Sequence, residues 1–175
     1  GYEVIDADEI SSEILEYNHI KISKMFKMPP QKFSTFKITL GNLVFNSDPE
    51  GRNYKKELED FMLPRIKLDI EYWTKYYQEK HKKYVIEMPT LFESRGLQKF
   101  KDYYVIMVQA DKDIRVQRIL ERNKHLSIQD VLNRISSQIN PSEKVEFCDD
   151  IIWNNETEEE LSEEVEKIIE KLKGK

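Results

Sequence analysis

Several features that define particular classes of protein are scarce or missing in this chain. The single cysteine, Cys148, excludes an internal disulfide and suits a reducing compartment, so we expect a cytoplasmic protein. The apolar runs are too short to span a bilayer, and the first residues lack the pattern of a signal peptide, so no membrane partner is expected. An excess of positive charge is missing as well. The net charge of -5 argues against a general nucleic-acid footprint, although it leaves room for a local phosphate pocket.

Patterns of metal-ligating and nucleophilic residues are equally sparse. The three histidines, His19, His81 and His125, are scattered, and together with one cysteine they lack the ligand spacing of a zinc site. No nucleophile elbow is present, so nothing in the sequence indicates a hydrolase of the serine type. We therefore predict no dedicated metal site built from protein ligands.

What remains is the composition of a globular domain. The 175 residues are 39% hydrophobic and 11% aromatic, which is enough to bury a core. Short apolar segments alternate with longer ones in which apolar residues recur every three or four positions. This alternation predicts an α/β domain with a parallel sheet flanked by helices. The strands are expected at 2–5, 84–87, 103–108 and 150–153.

Helices are expected between these strands, with one loop and one turn that are marked by sequence. Pro29-Pro30 indicates a loop over 28–34, and a turn-rich segment lies at 46–51. Pro64 should kink or split the helix that contains it. A short helix is expected between the second and third strands. Two other helices are predicted to begin after residue 8 and after Ser127. Four more are predicted to cover 37–45, 53–78, 111–122 and 161–172.

Two carboxylates follow the first predicted strand, at Asp6 and Asp8. Ligands of open α/β sheets bind outside the carboxyl ends of the strands, so these side chains fall where a ligand is expected. A carboxylate in that place can accept a proton from a substrate hydroxyl or hold a metal-bound water. The alternative is that Asp8 serves as the N-cap of the next helix, and the two roles are compatible.

A second strand end carries the segment Glu87-Met88-Pro89-Thr90-Leu91-Phe92-Glu93. A proline directly after a strand, with a glutamate four residues later, predicts a rigid turn into the start of a helix. Such a turn is either a simple connector or the wall of a ligand pocket, and the pattern alone favours the connector.

Arginines provide the third candidate site. On the helix predicted over 111–122, Arg115, Arg118 and Arg122 share one face, while apolar residues occupy the other. The planar guanidinium engages two phosphate oxygens at once, so this face suits a polyphosphate. A solvated helix surface is the alternative.

The next helix adds another arginine. Ser127-Ile128-Gln129-Asp130 has the pattern of a capping box that opens a helix. On that helix Arg134 and Gln138 are separated by four residues, so both are predicted to point the same way. Taken alone, this face is also compatible with a solvated surface.

Taken in order, these segments resemble the dephospho-coenzyme A kinase family over nearly the whole chain. Val4-Ile5-Asp6-Ala7-Asp8 is similar to the family's Val-Ile-Asp-Ala-Asp signature. The block at 37–45 resembles the next one, which usually begins with Arg where this chain has Lys37. Leu63-Pro64-Arg65-Ile66 matches a segment that is commonly His-Pro-x-Ile, without the His. Met88-Pro89-Thr90-Leu91-Phe92-Glu93 is similar to Val-Pro-Leu-Leu-Phe-Glu, with Thr90 in place of Leu.

The second half of the chain resembles the lid and the last strand of the same family. The matching pieces keep both order and spacing, and they lie at 117–122, 134–138, Lys144 and 148–155. The chain departs from the family motifs at Lys37, Leu63 and Thr90. These departures affect the expected details of the acceptor site more than the assignment to the family.

The resemblance implies a kinase of the P-loop type with a three-layer α/β fold. Its implied reaction transfers the γ-phosphate of ATP, with Mg²⁺, to the ribose 3′-hydroxyl of dephospho-coenzyme A. It further implies one kinase domain over 1–175, with acceptor-binding helices at about 17–80 and a lid at about 123–147. ATP and dephospho-coenzyme A are then the expected partners, and a monomer or a weak homo-oligomer is the expected assembly.

The same resemblance assigns roles to particular residues. Asp8 matches the residue assigned as general base, and Asp6 lies where a supporting or metal-side carboxylate is expected. Lys37, Pro89 and Leu91 fall in segments that face the acceptor. On the lid side, cations neutralise charge that develops on the transferred phosphoryl group, and the matching residues are Arg118, Arg122 and Arg134.

One expected element is not matched. Kinases of this type open with a strand and a glycine-rich phosphate loop, G-x-x-x-x-G-K-[ST], and no segment of this chain, with its five glycines, fits that pattern. The resemblance starts at the family's second strand, so we expect a sequence that is incomplete at its N-terminus, by roughly 30 residues. The alternatives are a degenerate kinase-like domain that binds a coenzyme or a protein without catalysis, and a P-loop kinase for another small acceptor.

Overall fold

The computed structural model describes residues 1–45, 53–89, 91–92, 102–124, 126–136 and 138–173. The chain divides into two compact units, Gly1–Pro89 and Thr90–Lys175. Each unit contains one pair of parallel strands together with helices, which agrees with the predicted α/β class. The single kinase domain with its helical insertion and lid stays a prediction.

The first unit contains two strands and three helices. Its elements are β1 (Glu3–Asp6), α1 (Ala7–Met25), α2 (Phe33–Phe45), α3 (Tyr54–Glu79) and β2 (Tyr84–Glu87). β1 and β2 pair in parallel with Asp6 opposite Glu87, so the carboxyl ends of both strands lie at one edge. The predicted strand at 84–87 is confirmed, and the predicted helix at 37–45 begins four residues earlier than expected.

The core of this unit lies between the three helices and one face of the strand pair. Ile5 of β1 is buried, whereas Val4 and Val85 point to the other face and stay exposed. Alternate strand residues face opposite sides of a sheet, which explains this division. The buried residues of the core are Ile5, Ala7, Ile10, Ile14, Ile22, Phe26, Phe36, Leu40, Met62 and Ile70.

Two helices of this unit end in a left-handed residue that is not glycine. After α1, Lys27 has φ 53°, and the amide of Met28 donates to the carbonyl of Ser23 at 2.8 Å. After α3, His81 has φ 52°, and the amide of Lys82 donates to the carbonyl of Tyr77 at 2.9 Å. Both ends therefore form the Schellman hydrogen-bond pattern, which satisfies carbonyls that the last helical turn leaves open.

Helix α3 runs for 26 residues and continues through Pro64, so the proline does not split it. Proline has no amide hydrogen, and its ring crowds the carbonyl one turn earlier. Beside Pro64, the Arg65 guanidinium donates to the carbonyl of Phe61. Its central carbon lies 3.7 Å from the centroid of the Phe61 ring. Among the residues that the structure describes, no helix has both the length and the apolar character needed to cross a membrane.

The second unit contains the other strand pair. Its elements are β3 (Ile106–Gln109), α4 (Lys112–Arg122), α5 (Ile128–Ser136), α6 (Pro141–Lys144), a 3-10 turn (Val145–Phe147), β4 (Asp150–Trp153) and α7 (Glu158–Lys173). β3 and β4 pair in parallel, with Ile106 opposite Asp150. The strand predicted at 150–153 is confirmed. The turn predicted at 46–51 lies outside the described residues, as does most of the segment expected to form a short helix between β2 and β3.

The strand predicted at 103–108 begins only at Ile106. Upstream of it, the amide of Val105 donates to the Asp149 carboxylate at 2.7 Å, and its carbonyl accepts from the Asp149 amide at 2.8 Å. A side chain therefore takes the place of a strand partner at Val105. Because its acceptor is 44 residues away in sequence, the local pattern of apolar residues could not show this.

The capping box predicted at the start of α5 is confirmed. The Asp130 carboxylate accepts from the Ser127 amide at 3.0 Å, and the Asp130 amide donates to the Ser127 hydroxyl oxygen at 3.1 Å. The helix ends at Ser136, however, so Gln138 lies beyond it. The prediction that Gln138 shares a helical face with Arg134 is therefore wrong, and the Gln138 side chain instead accepts from Arg115 at 2.7 Å.

A polar cluster fastens α7 to β4. The Lys171 ammonium lies 2.8 and 2.9 Å from the two carboxylate oxygens of Asp150, and the Tyr104 hydroxyl donates to the same carboxylate. The hydrogen bond to Asp150, followed by the interaction with Tyr104, raises the pKa of Lys171. The pair thus favours the charged form of the lysine in the folded protein.

This cluster predicts a pH dependence of stability. A lysine whose pKa is raised by folding stabilises the protein fully below its ordinary pKa of 10.5, and it loses that contribution as the pH rises above that value. We expect the difference in unfolding free energy between the wild type and Lys171→Met to stay constant from about pH 6 to about pH 9 and to shrink above about pH 10.5. Urea denaturation at each pH measures it, with Lys75→Met as the control. A difference that changes steeply between about pH 6 and 9 would contradict the assignment.

Candidate active site

The carboxyl end of β1 passes directly into α1 through Asp6. Asp6 has extended backbone angles, and its Oδ1 accepts from the amides of Asp8 and Glu9 at 2.8 and 3.1 Å. These are the second and third amides of the helix, which an N-cap side chain satisfies. Asp6 is therefore the N-cap, and the alternative that Asp8 caps the helix is wrong.

Because Asp6 caps α1 through its side-chain oxygen, we expect the stability of the fold to depend on that hydrogen-bond acceptor and not on the negative charge of Asp6. Asp6→Ala removes the acceptor and should lower the free energy of unfolding by about 0.5–2 kcal/mol, whereas Asp6→Asn keeps it and should cost much less. Urea denaturation of both variants measures the difference. Equal losses in the two variants would show that the carboxylate acts through its charge instead.

Because Asp6 takes the capping role, the Asp8 side chain is left available. Asp8 lies in the first turn of α1 and is exposed. Within the described ranges, its carboxylate makes no hydrogen bond or ion pair, and its backbone amide donates to Asp6. The positive end of the helix dipole favours a negative charge at this position. Asp8 is thus a carboxylate without a partner among the described residues, and it can accept a proton from a ligand.

Three further features gather at the same edge of the first unit. Asp6 lies opposite Glu87 in the strand pair, and Pro89 follows β2 by two residues and is exposed. The carboxyl ends of β1 and β2 therefore carry Asp6, Glu87 and Pro89, with Asp8 in the turn that follows β1. Glu87 opens the second candidate segment of the sequence, although no role was assigned to it. Its position opposite Asp6, at the end of a strand parallel to β1, adds a further carboxylate to this edge.

The two other acceptor-side residues lie on different elements of the chain. Lys37 is exposed on α2, and its ammonium lies 5.7 Å from the centroid of the Phe33 ring. Within the part of the chain that the structure describes, it makes no ion pair with Asp8. Leu91 is half-buried and belongs to the second unit. Thr90, one of the departures from the family pattern, lies outside the described residues.

The predicted ATP-side arginines all belong to the second unit and differ in their surroundings. Arg118 donates to the backbone carbonyl of Asn154 at 2.6 Å and to its side-chain oxygen at 3.0 Å. Arg122 is exposed at the end of α4 and makes no hydrogen bond or ion pair with the described residues. Arg134 is exposed in the last turn of α5. Arg122 is thus the arginine of the set that is most open to an anionic ligand.

Arg134 also acts on a neighbouring carboxylate. Hydrogen bonds from the Ser127 side chain and backbone lower the pKa of Asp130, and the charge of Arg134 adds a smaller attraction. This agrees with the capping box, since the ionised carboxylate is the form that accepts both hydrogen bonds. Arg134 therefore lies close to a carboxylate as well as to solvent.

A pair of residues that the sequence did not single out joins the carboxyl ends of β3 and β4. The Asp111 amide donates to the side-chain oxygen of Asn155 at 2.8 Å, and the Asn155 amide group donates back to the Asp111 carboxylate at 3.0 Å. The Asn154 amide donates to the carbonyl of Gln109 at 2.7 Å. Two amide side chains directly after a strand are the signal that could have found this pair.

Carboxylates at the edge of the first unit fit a magnesium nucleotide better than a metal ion bound by protein alone. Among the described residues, no group of three histidine, cysteine, aspartate or glutamate side chains could hold a metal ion. Mg²⁺ in nucleotide sites is usually held by one or two carboxylates together with phosphate oxygens and waters. Asp6 and Asp8 supply ligands of that kind.

Comparison with known proteins assigns the family. A family model described as dephospho-CoA kinase matches residues 1–160. The chain belongs to the dephospho-CoA kinase family. A dephospho-CoA kinase of Campylobacter jejuni is 31% identical over 183 residues, which cover 100% of this chain and 87% of that protein. One from Helicobacter pylori is 28% identical over 173 residues, covering 98% of this chain and 86% of that protein.

Solved structures agree with this assignment. The dephospho-CoA kinase structure from Campylobacter jejuni has a TM-score of 0.70 at 29% identity and covers 98% of this chain and 85% of that one. A crystal structure from Thermus thermophilus has a TM-score of 0.78 at 25% identity with the same coverage. Both the family and the α/β fold class predicted from the sequence are therefore confirmed.

Proposed function

We propose that this chain transfers the γ-phosphoryl group of ATP to the ribose 3′-hydroxyl of dephospho-coenzyme A, which gives coenzyme A and ADP. The observation that carries this proposal is the exposed Asp8 carboxylate at the carboxyl edge of β1 and β2, which has no partner among the described residues because Asp6 takes the capping role. A catalytic base must reach a substrate proton, and a carboxylate already engaged in the fold could not do so. The non-catalytic alternative is not favoured, because the family match covers residues 1–160 and Asp8 is retained.

In this mechanism Asp8 accepts the proton of the 3′-hydroxyl. The hydroxyl oxygen forms a bond to the γ-phosphorus, and the bond between that phosphorus and the β,γ-bridging oxygen breaks, so that ADP leaves. Phosphoryl transfer depends mainly on positioning and on the stabilisation of negative charge, and the position of the base is therefore important. The Asp6 cap fixes the first turn of α1 and with it the Asp8 backbone.

Asp6 has a second place in the proposal. Its Oδ1 accepts from the two helix amides, while its Oδ2 makes no hydrogen bond with the described residues and would hold a water of a magnesium nucleotide. When bound with ATP, the ion would supply positive charge that neutralises the phosphate oxygens. Asp6 would therefore both cap α1 and help to hold the ion.

We assign the remaining residues to the two substrates. Lys37, Pro89 and Leu91 contribute to the dephospho-coenzyme A side, where the exposure of Lys37 and Pro89 leaves them open to a ligand. Arg122 and Arg134 provide cations on the ATP side, and Arg118 belongs to the same helical face as Arg122. Arginine suits this role because its guanidinium binds phosphate oxygens in pairs.

The proposed setting is the reducing cytoplasm. The lone Cys148 is a free thiol, which agrees with a reducing compartment. Burial is the chief cause that raises the pKa of this thiol.

The direct test is phosphoryl transfer by the full-length gene product. With ATP and dephospho-coenzyme A as substrates, we expect formation of coenzyme A and ADP in equal amounts. Competition with nucleosides and nucleotides as acceptors separates this activity from that of a kinase for another small hydroxyl compound. A folded protein that binds dephospho-coenzyme A but forms no product would instead support the non-catalytic alternative.

A further inference from the structure

Arg118 is tied to a loop that lies far from it in sequence. Its guanidinium donates to the Asn154 carbonyl at 2.6 Å, to the Asn154 side-chain oxygen at 3.0 Å, and to the Glu156 carbonyl at 3.4 Å. All three acceptors belong to the loop that follows β4. A planar group with donors in a fixed fork can reach several acceptors at once, which a lysine ammonium on a flexible stem does less well.

The same loop is held at two other points. The Asn154 amide extends the strand pairing to the carbonyl of Gln109, and the Asn155 side chain makes the reciprocal pair with Asp111 at the start of α4. Asp111 and Arg118 are seven residues apart, which is two helical turns, so the N-cap and one face of α4 hold the loop at two points. The loop lies at the carboxyl ends of β3 and β4, where ligands of α/β sheets bind.

Arg118 and Arg122 share this face but differ in what they bind. Arg118 uses both terminal nitrogens of its guanidinium on the loop, whereas Arg122, one turn later, has no hydrogen-bond or ion-pair partner among the described residues. The family resemblance gives Arg118 and Arg122 the same role. In the structure, however, Arg118 is already hydrogen-bonded within the protein, whereas Arg122 is open to a phosphate.

We propose that Arg118 is a positioning residue, which holds the 154–156 loop at the ATP side of the site instead of neutralising the transferred phosphoryl group. The proposal rests on the proposed kinase function for its effect on ATP, and on the observed hydrogen bonds for its effect on the loop. The Asp111–Asn155 pair shares this task. Loosening the loop should therefore weaken ATP binding and leave the chemical step largely intact.

The test compares charge with hydrogen-bond geometry. Arg118→Lys keeps the positive charge but loses the planar set of guanidinium donors. Asn155→Ala loosens the same loop without altering any charge. Both should raise KM for ATP roughly tenfold and change kcat by less than about twofold, the pattern seen when binding is lost equally in the ground state and the transition state. Lys112→Arg is the matched control on the same helix, because Lys112 is exposed and makes no hydrogen bond with the loop in the part of the chain that the structure describes. It should leave both constants near the wild-type values.

A second measurement needs no substrate. Hydrogen exchange of the amides at 154–156 should quicken in Arg118→Lys and in Asn155→Ala, but not in Lys112→Arg. Unchanged exchange in Arg118→Lys would overturn the positioning role, as would a large fall in kcat in Arg118→Ala that Arg118→Lys restores. A wild-type protein without kinase activity would overturn the proposed function, and the exchange measurement would still decide the role of Arg118.

Discussion

Replacement of Asp8 by asparagine is expected to lower kcat by a factor on the order of 10²–10⁴, the usual contribution of a general base. The amide cannot accept the hydroxyl proton, although it has almost the same shape as the carboxylate. The Asp8 side chain makes no hydrogen bond or ion pair within the described residues, so its replacement should leave the fold unchanged. Steady-state kinetics with ATP and dephospho-coenzyme A measure the effect, and the affinity for dephospho-coenzyme A should be retained.

Glu9→Gln is the matched control for this experiment. Glu9 is the next residue of the same helical turn, and it is also exposed and acidic. Both substitutions remove one negative charge near the positive end of the α1 dipole. Each should therefore lower the free energy of unfolding by a similar amount, about 0.3–1 kcal/mol. Only Asp8→Asn should affect turnover. An equal loss of activity in the two variants would point to the local field of the carboxylates and not to proton transfer by Asp8.

The largest effect on stability is expected from Ile22→Ala. Ile22 is fully buried on α1, within the core that joins α1, α2 and α3. Truncation removes apolar contacts and leaves a cavity that a packed core only partly closes, and such changes cost about 2–5 kcal/mol. That is a large share of the stability of a typical domain. Urea denaturation and the midpoint of thermal unfolding measure this loss.

Ile20→Ala provides the control, since Ile20 lies on the same helix and is 61% exposed. Both variants exchange a β-branched residue for alanine, so the gain in helix propensity is common to the two and cancels in the comparison. We expect Ile20→Ala to change the free energy of unfolding by less than about 0.5 kcal/mol. Similar losses for both variants would mean that the α1 face assigned to the core is wrong.

Local patterns were sufficient for several elements of the fold. The strands at 84–87 and 150–153 were predicted with the bounds that the structure has, because each is a short apolar run with polar or turn residues on both sides. The capping box at the start of α5 was predicted from two residues three positions apart. The family was also within reach of the sequence, since its motifs keep their order along the chain.

Other features depend on groups that are distant in sequence or on subtle backbone geometry. The strand at β3 was predicted too long because the Asp149 carboxylate binds Val105 from 44 residues away. The helix ends at Lys27 and His81 have left-handed backbones without the glycine that usually marks them, so these turns could not be predicted from local patterns.

The sequence by itself determined the family, the α/β class and the identity of the candidate carboxylates and arginines. Only the tertiary structure decided how those residues divide their roles. Asp6 and Asp8 are two residues apart and have the same side chain. The path of the backbone from β1 into α1 makes Asp6 the cap and leaves Asp8 without a partner among the described residues. Arg118 and Arg122 likewise differ only in what the fold brings to them, because the loop after β4 reaches Arg118 and not Arg122. Side-chain chemistry is encoded locally, whereas the hydrogen-bond partners that use it are set by packing.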